Sequence, residues 1–162
     1  MPKSKNMVSM YKQKYNGHRL RIGRCSESNR IYHLTTTTIH RHPYFSDFQL
    51  GRIVVQALRY QHDQGKVHSL AFVIMPDHFH WLVQLGSDTS LAKLMSTVKG
   101  WSTTRIQQIV SSKNIWQRGY FDHALRSDED MQSVARYIVA NPLRAGLVEN
   151  IGEYPLWDAV WL

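Results

Sequence analysis

The chain has 162 residues, of which 43% are hydrophobic, with a single cysteine and a formal net charge of +8. A chain of this size predicts one domain that folds without disulfides or a structural metal. The composition excludes global disorder, and the lone cysteine excludes a disulfide framework. No apolar run approaches the ~18 residues of a membrane span, and no secretory signal is recognisable. We therefore expect a cytoplasmic protein with no membrane contact.

The positive charge is concentrated near the N-terminus, where Glu27 is the only acidic residue among the first thirty. Residues 1–18 are predicted to form a flexible basic arm. Such an arm is typical of proteins that follow the phosphates of a nucleic acid, although a solvated tail has the same composition. Charge alone leaves both interpretations open. The basic residues are Lys3, Lys5, Lys12, Lys14, Arg19, Arg21, Arg24 and Arg30.

A strand and a helix are predicted first along the chain. The β-branched residues within Ile31–His40 favour a strand. Ser46 is predicted to cap the following helix, with Gln49 completing a capping box. Gly65 is expected to end this helix. Its buried stripe has helical spacing and comprises Leu50, Ile53, Val54, Ala57 and Leu58.

A hairpin and a long helix are predicted next. Lys66–Met75 and His78–Leu85 have strand patterns, and the intervening Pro76-Asp77 indicates a turn, so we expect the two strands to pair. The helix that follows is amphipathic, with a stripe of Leu91, Leu94, Met95, Val98, Trp101, Ile106 and Ile109.

A short strand at Tyr120–Leu125 and a third helix complete the predicted fold. Ser127 is predicted to cap this helix, because acidic residues occupy its first turn, and Asn141-Pro142 is expected to end it. The order β-α-β-β-α-β-α predicts an α+β fold of the ferredoxin-like, split βαβ type. Its antiparallel sheet would carry an additional C-terminal helix bearing Tyr137. Residues 1–162 are expected to form a single domain, with an apolar C-terminal tail at 149–162 that packs back on it.

Two histidines lie two residues apart near the start of the second hairpin strand. Side chains alternate across a strand, so His78 and His80 are predicted to point to one face and Phe79 to the other. Two imidazoles placed in this way can bind one divalent cation. The alternative is a pair of histidines on a solvated sheet face.

Tyr137 and Asn141 lie four residues apart in the third predicted helix. At about 100° per residue the two side chains share one face. A phenol is a competent nucleophile toward phosphorus, and an amide oxygen is a hard ligand suited to Mg²⁺ or Mn²⁺. The alternative is an ordinary tyrosine that packs its ring at the edge of the buried stripe, which comprises Met131, Val134, Ala135 and Ile138.

Three segments resemble one protein family: Pro76–Trp81 (PDHFHW), Trp116–His123 (WQRGYFDH) and Arg136–Val148 (RYIVANPLRAGLV). Together they resemble the single-tyrosine HUH transposases, and more narrowly the REP-associated tyrosine transposases of bacteria. Gly23 and Arg24, followed by Ser26, are similar to the Gly-Arg-Ser signature of that subgroup. Cys25 stands where the serine is expected. The resemblance covers residues 20–148.

This resemblance implies a metal-dependent endonuclease and strand transferase that acts on single-stranded DNA carrying a hairpin. His78, His80 and Asn141 would hold the divalent cation, Mg²⁺ or Mn²⁺. Tyr137 would attack the phosphate and form a 5′-phosphotyrosine. His123 is a candidate auxiliary base or an ordinary structural histidine. The alternatives are a non-catalytic hairpin-binding protein derived from such an enzyme, and a zinc hydrolase that uses the two histidines.

Basic side chains flank the predicted site and are candidates for salt-dependent contacts with DNA phosphates. They are Lys93, Lys99, Arg118, Arg126, Arg136 and Arg144. By resemblance, Gly23 and Arg24 are expected to read bases near the foot of the hairpin. Four aromatic residues either stack unpaired bases or belong to the core: Trp81, Trp101, Trp116 and Tyr120. The sequence leaves open whether the protein is a monomer or a homodimer.

Overall fold

The computed structural model describes residues 26–161 of the chain. Its strands are β1 (Ile31–Thr37), β2 (Val67–Met75), β3 (His78–Leu85), β4 (Phe121–Ala124) and β5 (Trp157–Ala159). Its α-helices are α1 (Phe48–Asp63), α2 (Leu91–Ile106), α3 (Met131–Val139) and α4 (Asn141–Arg144). Short 3₁₀ turns occur at Ile39–Arg41, Tyr44–Ser46 and Ile151–Glu153.

One antiparallel sheet contains all of these strands, in the order β4-β1-β3-β2-β5. β1 lies between β3 and β4, and every neighbouring pair is antiparallel. The β2–β3 hairpin is the one that the Pro76-Asp77 turn predicts, with Met75 opposite His78. The predicted α+β fold, with its split βαβ sheet and additional C-terminal helix, is thus confirmed, and β5 extends the sheet beyond β2.

Different helices cover the two faces of the sheet. α1 and α2 pack with Phe79 and Trp81 in one core. α3 packs on the opposite face, in a second core that includes Leu82. Because side chains alternate across a strand, His78 and His80 share the face of Leu82. The helix that bears the candidate tyrosine therefore lies on the same side of the sheet as the histidine pair.

Two helices begin later than predicted. Asp47, not Ser46, caps α1, and its carboxylate accepts two backbone N–H groups of the first turn. Asp130, not Ser127, caps α3, and its carboxylate accepts the backbone N–H of Gln132. In both cases a carboxylate lies one to three residues after the serine. A carboxylate satisfies the free N–H groups and also interacts favourably with the positive end of the helix dipole, which explains the later start.

Other predicted boundaries extend too far. β1 ends at Thr37 rather than at His40. The chain leaves the sheet because His40 and Arg41 have left-handed backbones, with φ of 52° and 53°, which no strand can contain. Ile109, beyond the end of α2, is 46% exposed, and Met131, at the start of α3, is 39% exposed. Helical periodicity continues past the point where each helix contacts the sheet, so it misassigned both residues to the core.

The C-terminal segment packs back on the domain, as predicted. The Leu156 side chain is 3% exposed, and its carbonyl accepts a hydrogen bond from Ile74 N at 2.8 Å. β5 then pairs with β2. A Cβ on Gly51 of α1 would overlap the Leu156 side chain. The glycine therefore allows the C-terminal segment to approach the helix closely.

The predicted basic arm, residues 1–18, lies outside the described residues. Over the described part of the chain, 26–161, none of the helices has the length and hydrophobicity needed to cross a membrane. This agrees with the lack of an apolar run of ~18 residues in the sequence.

Replacing Asp47 with alanine removes the α1 cap and is expected to lower the free energy of unfolding by about 1 kcal/mol. Ser46→Ala leaves the cap in place and is expected to change stability by less than about 0.5 kcal/mol. Urea denaturation followed by tryptophan fluorescence measures both values. A larger loss in Ser46→Ala than in Asp47→Ala would contradict the cap.

Candidate active site

Two histidines project from β3 on the face that α3 covers. The ring centroids of His78 and His80 lie 5.0 Å apart, with the rings nearly perpendicular at 88°. Phe79 between them is fully buried on the opposite face. The alternation of side chains along β3 therefore brings both imidazoles together and accounts for the apolar residue that separates them.

Asp77 holds the ring of His78. The Nδ1 atom of His78 lies 2.6 Å from Asp77 Oδ1. Arg41 Nε donates to the other oxygen of the same carboxylate, at 3.0 Å. When one ring nitrogen of a histidine donates to a carboxylate, the other is the nitrogen that can ligate a metal. For His78 that atom is Nε2.

β1 supplies the partners of His80. Thr35 lies opposite His80 in the β1–β3 register, and its Oγ1 is 3.0 Å from His80 Nδ1. His33, fully buried on the same face of β1, places its Nε2 3.0 Å from the same atom. Sequence reasoning missed both residues as parts of the site. The sequence does indicate that His33 and Thr35 lie on one face of a predicted strand. Only the pairing of β1 with β3 shows that this face adjoins the histidine pair.

Burial keeps these imidazoles neutral. It lowers the pKa of His33 to about 3. It also lowers the pKa of His80 well below its usual value, and the charges of neighbouring histidines and Arg144 reinforce this shift. Burial lowers the pKa of His78 too, although Asp77 opposes the change. Because the neutral imidazole is the form that binds a metal, protons compete little with a cation at neutral pH.

Asn141 offers the third donor that the sequence proposes for a metal site. Its Nδ2 donates to the carbonyl of Ile138 at 2.8 Å, which leaves its side-chain oxygen as the possible ligand. Within residues 26–161, no three His, Cys, Asp or Glu side chains are grouped so that they could hold a metal. The donors that the sequence assigns to a cation on this face are the two imidazoles and the neutral side-chain oxygen of Asn141. That donor set fits a divalent cation such as Mn²⁺.

Arg144 lies against the ring of Tyr137. Tyr137 is partly exposed on α3, and the guanidinium carbon of Arg144 lies 3.8 Å from the centroid of its ring. α3 ends at Val139, as the Asn-Pro pair predicts, and α4 begins with Pro142 in its first turn. The cation of Arg144 also acts on His80, whose pKa it helps to lower. A phenol, a guanidinium and two imidazoles thus lie on one side of the sheet.

The two lysines predicted to contact DNA lie on α2, on the opposite side of the sheet. Lys93 is exposed near the start of that helix. The ammonium group of Lys99 donates to the backbone carbonyls of Gln117 and Gly119. Lys99 therefore holds the loop that precedes β4, an intramolecular role that the sequence did not indicate.

The remaining predicted DNA contacts are spread over the chain. Arg118, Arg126 and Arg136 are exposed. Arg126 lies 3.5 Å from an oxygen of Asp128 and 3.6 Å from an oxygen of Glu129. Gly23 and Arg24 lie outside the described residues. Within residues 26–161, the structure places Arg144, one of the basic residues proposed from sequence, against Tyr137.

His123, proposed as an auxiliary base, lies on β4 with a carboxylate partner. Its Nε2 is 3.0 Å from one oxygen of Glu129 and 3.2 Å from the other. The same carboxylate accepts the backbone N–H of Arg126 at 2.9 Å. These contacts connect β4 to the segment before α3, which is a structural role, and a catalytic role for His123 stays a prediction.

Most of the aromatic residues considered for base stacking belong to the core. Trp81 is 0% exposed, and Trp116 and Tyr120 are each 8% exposed. Trp101 on α2 is partly exposed and stacks against Arg105, whose guanidinium carbon lies 4.4 Å from the ring centroid. The core interpretation is thus correct for three of the four residues.

The histidine pair and the tyrosine helix lie on one face of the sheet, and comparison with known families gives the class of the chain, a transposase domain. The chain belongs to the family described as IS200-like transposases, whose model matches residues 26–141. The matched range extends from the segment before β1 to Asn141 and stops short of Arg144. The resemblance found in the sequence motifs is thus confirmed.

Individual relatives are REP-associated tyrosine transposases. The chain is 29% identical over 87 residues to the REP-associated tyrosine transposase of Escherichia coli K12, covering 52% of this chain and 50% of that protein. It is 31% identical over 98 residues to a Haemophilus influenzae protein given the same name provisionally, covering 54% and 56%. The chain thus spans about half the length of these relatives. Its fold is similar to a REP-associated tyrosine transposase bound to a REP hairpin, with a TM-score of 0.69 at 20% identity over 90% of this chain and 81% of that one.

The low pKa of the buried His33 predicts that the stability of the metal-free protein depends on pH. Its pKa falls from 6.5 to about 3 on folding, so the unfolded chain binds a proton first as the pH is lowered. This contribution to stability is fully present above 6.5 and is lost as the pH falls from there towards 3. His33→Gln is expected to flatten the dependence of unfolding free energy on pH by up to ~1.4 kcal/mol per pH unit in this window.

Urea titrations at several pH values in the presence of a chelator measure this slope. His68→Gln, which removes an exposed imidazole, serves as the control and is expected to retain the wild-type slope. Equal slopes for the wild type and His33→Gln would show that the buried imidazole is not responsible.

Proposed function

We infer that this chain is a metal-dependent endonuclease and strand transferase for single-stranded DNA that carries a hairpin, acting through a covalent 5′-phosphotyrosine. The observation that carries the inference is the position of Arg144. Its guanidinium carbon is 3.8 Å from the centroid of the Tyr137 ring, and its charge acts on His80. This supports one reaction centre that combines a nucleophile, a cation-binding pair and a fixed positive charge, which are the groups that phosphoryl transfer uses.

Tyr137 is the nucleophile in this proposal. Its phenol oxygen loses its proton and attacks phosphorus in line, and the bond from phosphorus to the 3′ oxygen breaks as the new bond forms. The departing 3′ oxygen takes up a proton, so the products are a 5′-phosphotyrosine and a 3′-hydroxyl. A 3′-hydroxyl can later attack the phosphotyrosine, release the phenol and rejoin a DNA strand without ATP.

The groups around the phenol bind and orient the phosphate. His78, His80 and Asn141 would hold Mg²⁺ or Mn²⁺, which supplies polarisation of the scissile phosphate and neutralisation of its developing charge. Neighbouring side chains hold Nδ1 of both imidazoles, so the rings do not have to reorient when DNA binds. Arg144 provides a permanent positive charge beside the phenol, where a guanidinium can contact a phosphate oxygen.

The proposed substrate rests on charge and on the structural relative. The chain carries a net charge of +8, and phosphate contacts from exposed arginines would give salt-dependent affinity for DNA. The related transposase was solved with a REP hairpin bound, which supports a hairpin of this kind as the DNA. An enzyme that acts on chromosomal DNA of a bacterium would work in the cytoplasm.

Tyr137→Phe tests the mechanism, because it removes only the phenol oxygen. With a hairpin-bearing oligonucleotide and Mn²⁺, the wild type is expected to form a covalent protein–DNA adduct that survives denaturing electrophoresis. Tyr137→Phe is expected to form no adduct while it retains hairpin binding in a gel-shift assay. Removal of the metal with EDTA is expected to abolish the wild-type adduct.

Tyr60→Phe is the matched control, since Tyr60 is 52% exposed on α1, the helix that covers the other face of the sheet. It is expected to form the adduct as the wild type does. An adduct in Tyr137→Phe would refute the assigned nucleophile. Hairpin binding by a wild type that forms no adduct would instead favour a non-catalytic hairpin-binding protein.

A further inference from the structure

A charged pair lies directly behind the imidazole of His78. Asp77 Oδ1 is 2.6 Å from His78 Nδ1, and Arg41 Nε donates to Asp77 Oδ2 at 3.0 Å. One carboxylate is therefore shared between an imidazole and a guanidinium. The sequence assigned Asp77 only to a turn and gave Arg41 no role, because the two residues come from separate parts of the chain.

The backbone fixes the position of this pair. The backbone N–H of Thr38 donates to the Asp77 carbonyl at 2.8 Å. The Thr38 hydroxyl lies between the carbonyls of His42 and Asp77, at 2.8 Å and 3.1 Å. The chain then turns through His40 and Arg41, which have φ of 52° and 53°. Two consecutive non-glycine residues in this left-handed region are strained, and such strain persists where surrounding contacts compensate for it. The contact between Arg41 and Asp77 is one that this turn makes possible.

The pair is shielded on the side that faces the imidazole. The side chains of His78 and Asp77 are 18% and 23% exposed, whereas that of Arg41 is 62% exposed. The hydrogen bond from imidazole to carboxylate thus lies largely out of water, where it orients the ring more strongly than an exposed contact would. Arg41 compensates the carboxylate from the solvent side.

The tautomer of His78 decides whether it can ligate a metal through Nε2. A neutral imidazole free in water prefers to carry its proton on Nε2, which blocks that atom. A carboxylate that accepts from Nδ1 reverses the preference and exposes the Nε2 lone pair. At His80 an uncharged group takes the place of the carboxylate: the hydroxyl oxygen of Thr35 lies 3.0 Å from Nδ1.

We propose that Asp77 and Arg41 are positioning residues: Asp77 holds His78 in the Nδ1–H tautomer, with Nε2 available to the cation, and Arg41 holds Asp77. The identity of the cation rests on the proposed function. The tautomer does not, because it is a property of the metal-free chain.

Nitrogen-15 NMR of the histidine-labelled, metal-free protein reads this tautomer directly. The wild type is expected to show His78 protonated on Nδ1, and Asp77→Ala is expected to move the proton toward Nε2. Asp77→Asn retains one oxygen that can accept from Nδ1, while its NH2 group replaces the oxygen that accepts from Arg41. It is therefore expected to keep the tautomer and to lose the charge and the Arg41 contact. Arg41→Gln is expected to shift the tautomer less than Asp77→Ala does.

Mn²⁺ affinity, measured by calorimetry without DNA, is the second readout. Loss of a partner behind a metal-binding histidine typically weakens affinity about 10–100-fold, which is the effect expected for Asp77→Ala. Asp77→Asn is expected to fall between Asp77→Ala and the wild type. Asp88→Ala removes a surface carboxylate that pairs with Lys66 beyond the far end of β3, and it is expected to change neither readout.

Thermal unfolding establishes that each variant is folded. An Nε2–H tautomer of His78 in the wild type, or unchanged Mn²⁺ affinity in folded Asp77→Ala, overturns the proposal. A wild type with the Nδ1–H tautomer that binds Mn²⁺ but forms no DNA adduct refutes the proposed function and leaves the positioning pair in place.

Discussion

The antiparallel register of β1 against β3 determines which side chains surround the histidine pair. It sets Thr35 opposite His80 and Thr37 opposite His78. A slip of one residue would turn the polar side chains of β1 to the other face and bring Leu34 beside the imidazoles. Burial of Tyr32 and Leu34 of β1 in the core under α1 and α2 prevents such a slip. The apolar face of β1 thus secures the arrangement of its polar face.

Features set by local sequence could be predicted, because neighbouring residues alone determine them. The alternation in β3 is enough to place His78 and His80 on one face, and the Pro76-Asp77 turn is enough to predict the hairpin. Helix starts were predicted less well, since several residues near each start can cap and only the folded chain selects one. The choice of Asp47 over Ser46 illustrates this competition.

The rest of the candidate site depends on contacts between distant parts of the chain. His33 lies 47 residues from its partner His80, and Arg41 lies 36 residues from Asp77. No local pattern reports such a pairing. Lys99 is a case in which local sequence predicts a contact that the fold redirects. Its charge predicts a DNA contact, whereas in the folded chain its ammonium group donates to two backbone carbonyls. The composition of a segment identifies basic residues, but tertiary contacts decide which of them are available to a ligand.

The ends of the sheet have a consequence for self-association. The strands at its two edges, β4 and β5, contain four and three residues. Short edge strands present few unpaired backbone groups, which limits the addition of a strand from another molecule. In the part of the chain that the structure describes, a second molecule that continued the sheet at either edge would therefore gain few backbone hydrogen bonds. The β-branched strand β1 lies inside the sheet, so its own backbone groups are already paired on both sides.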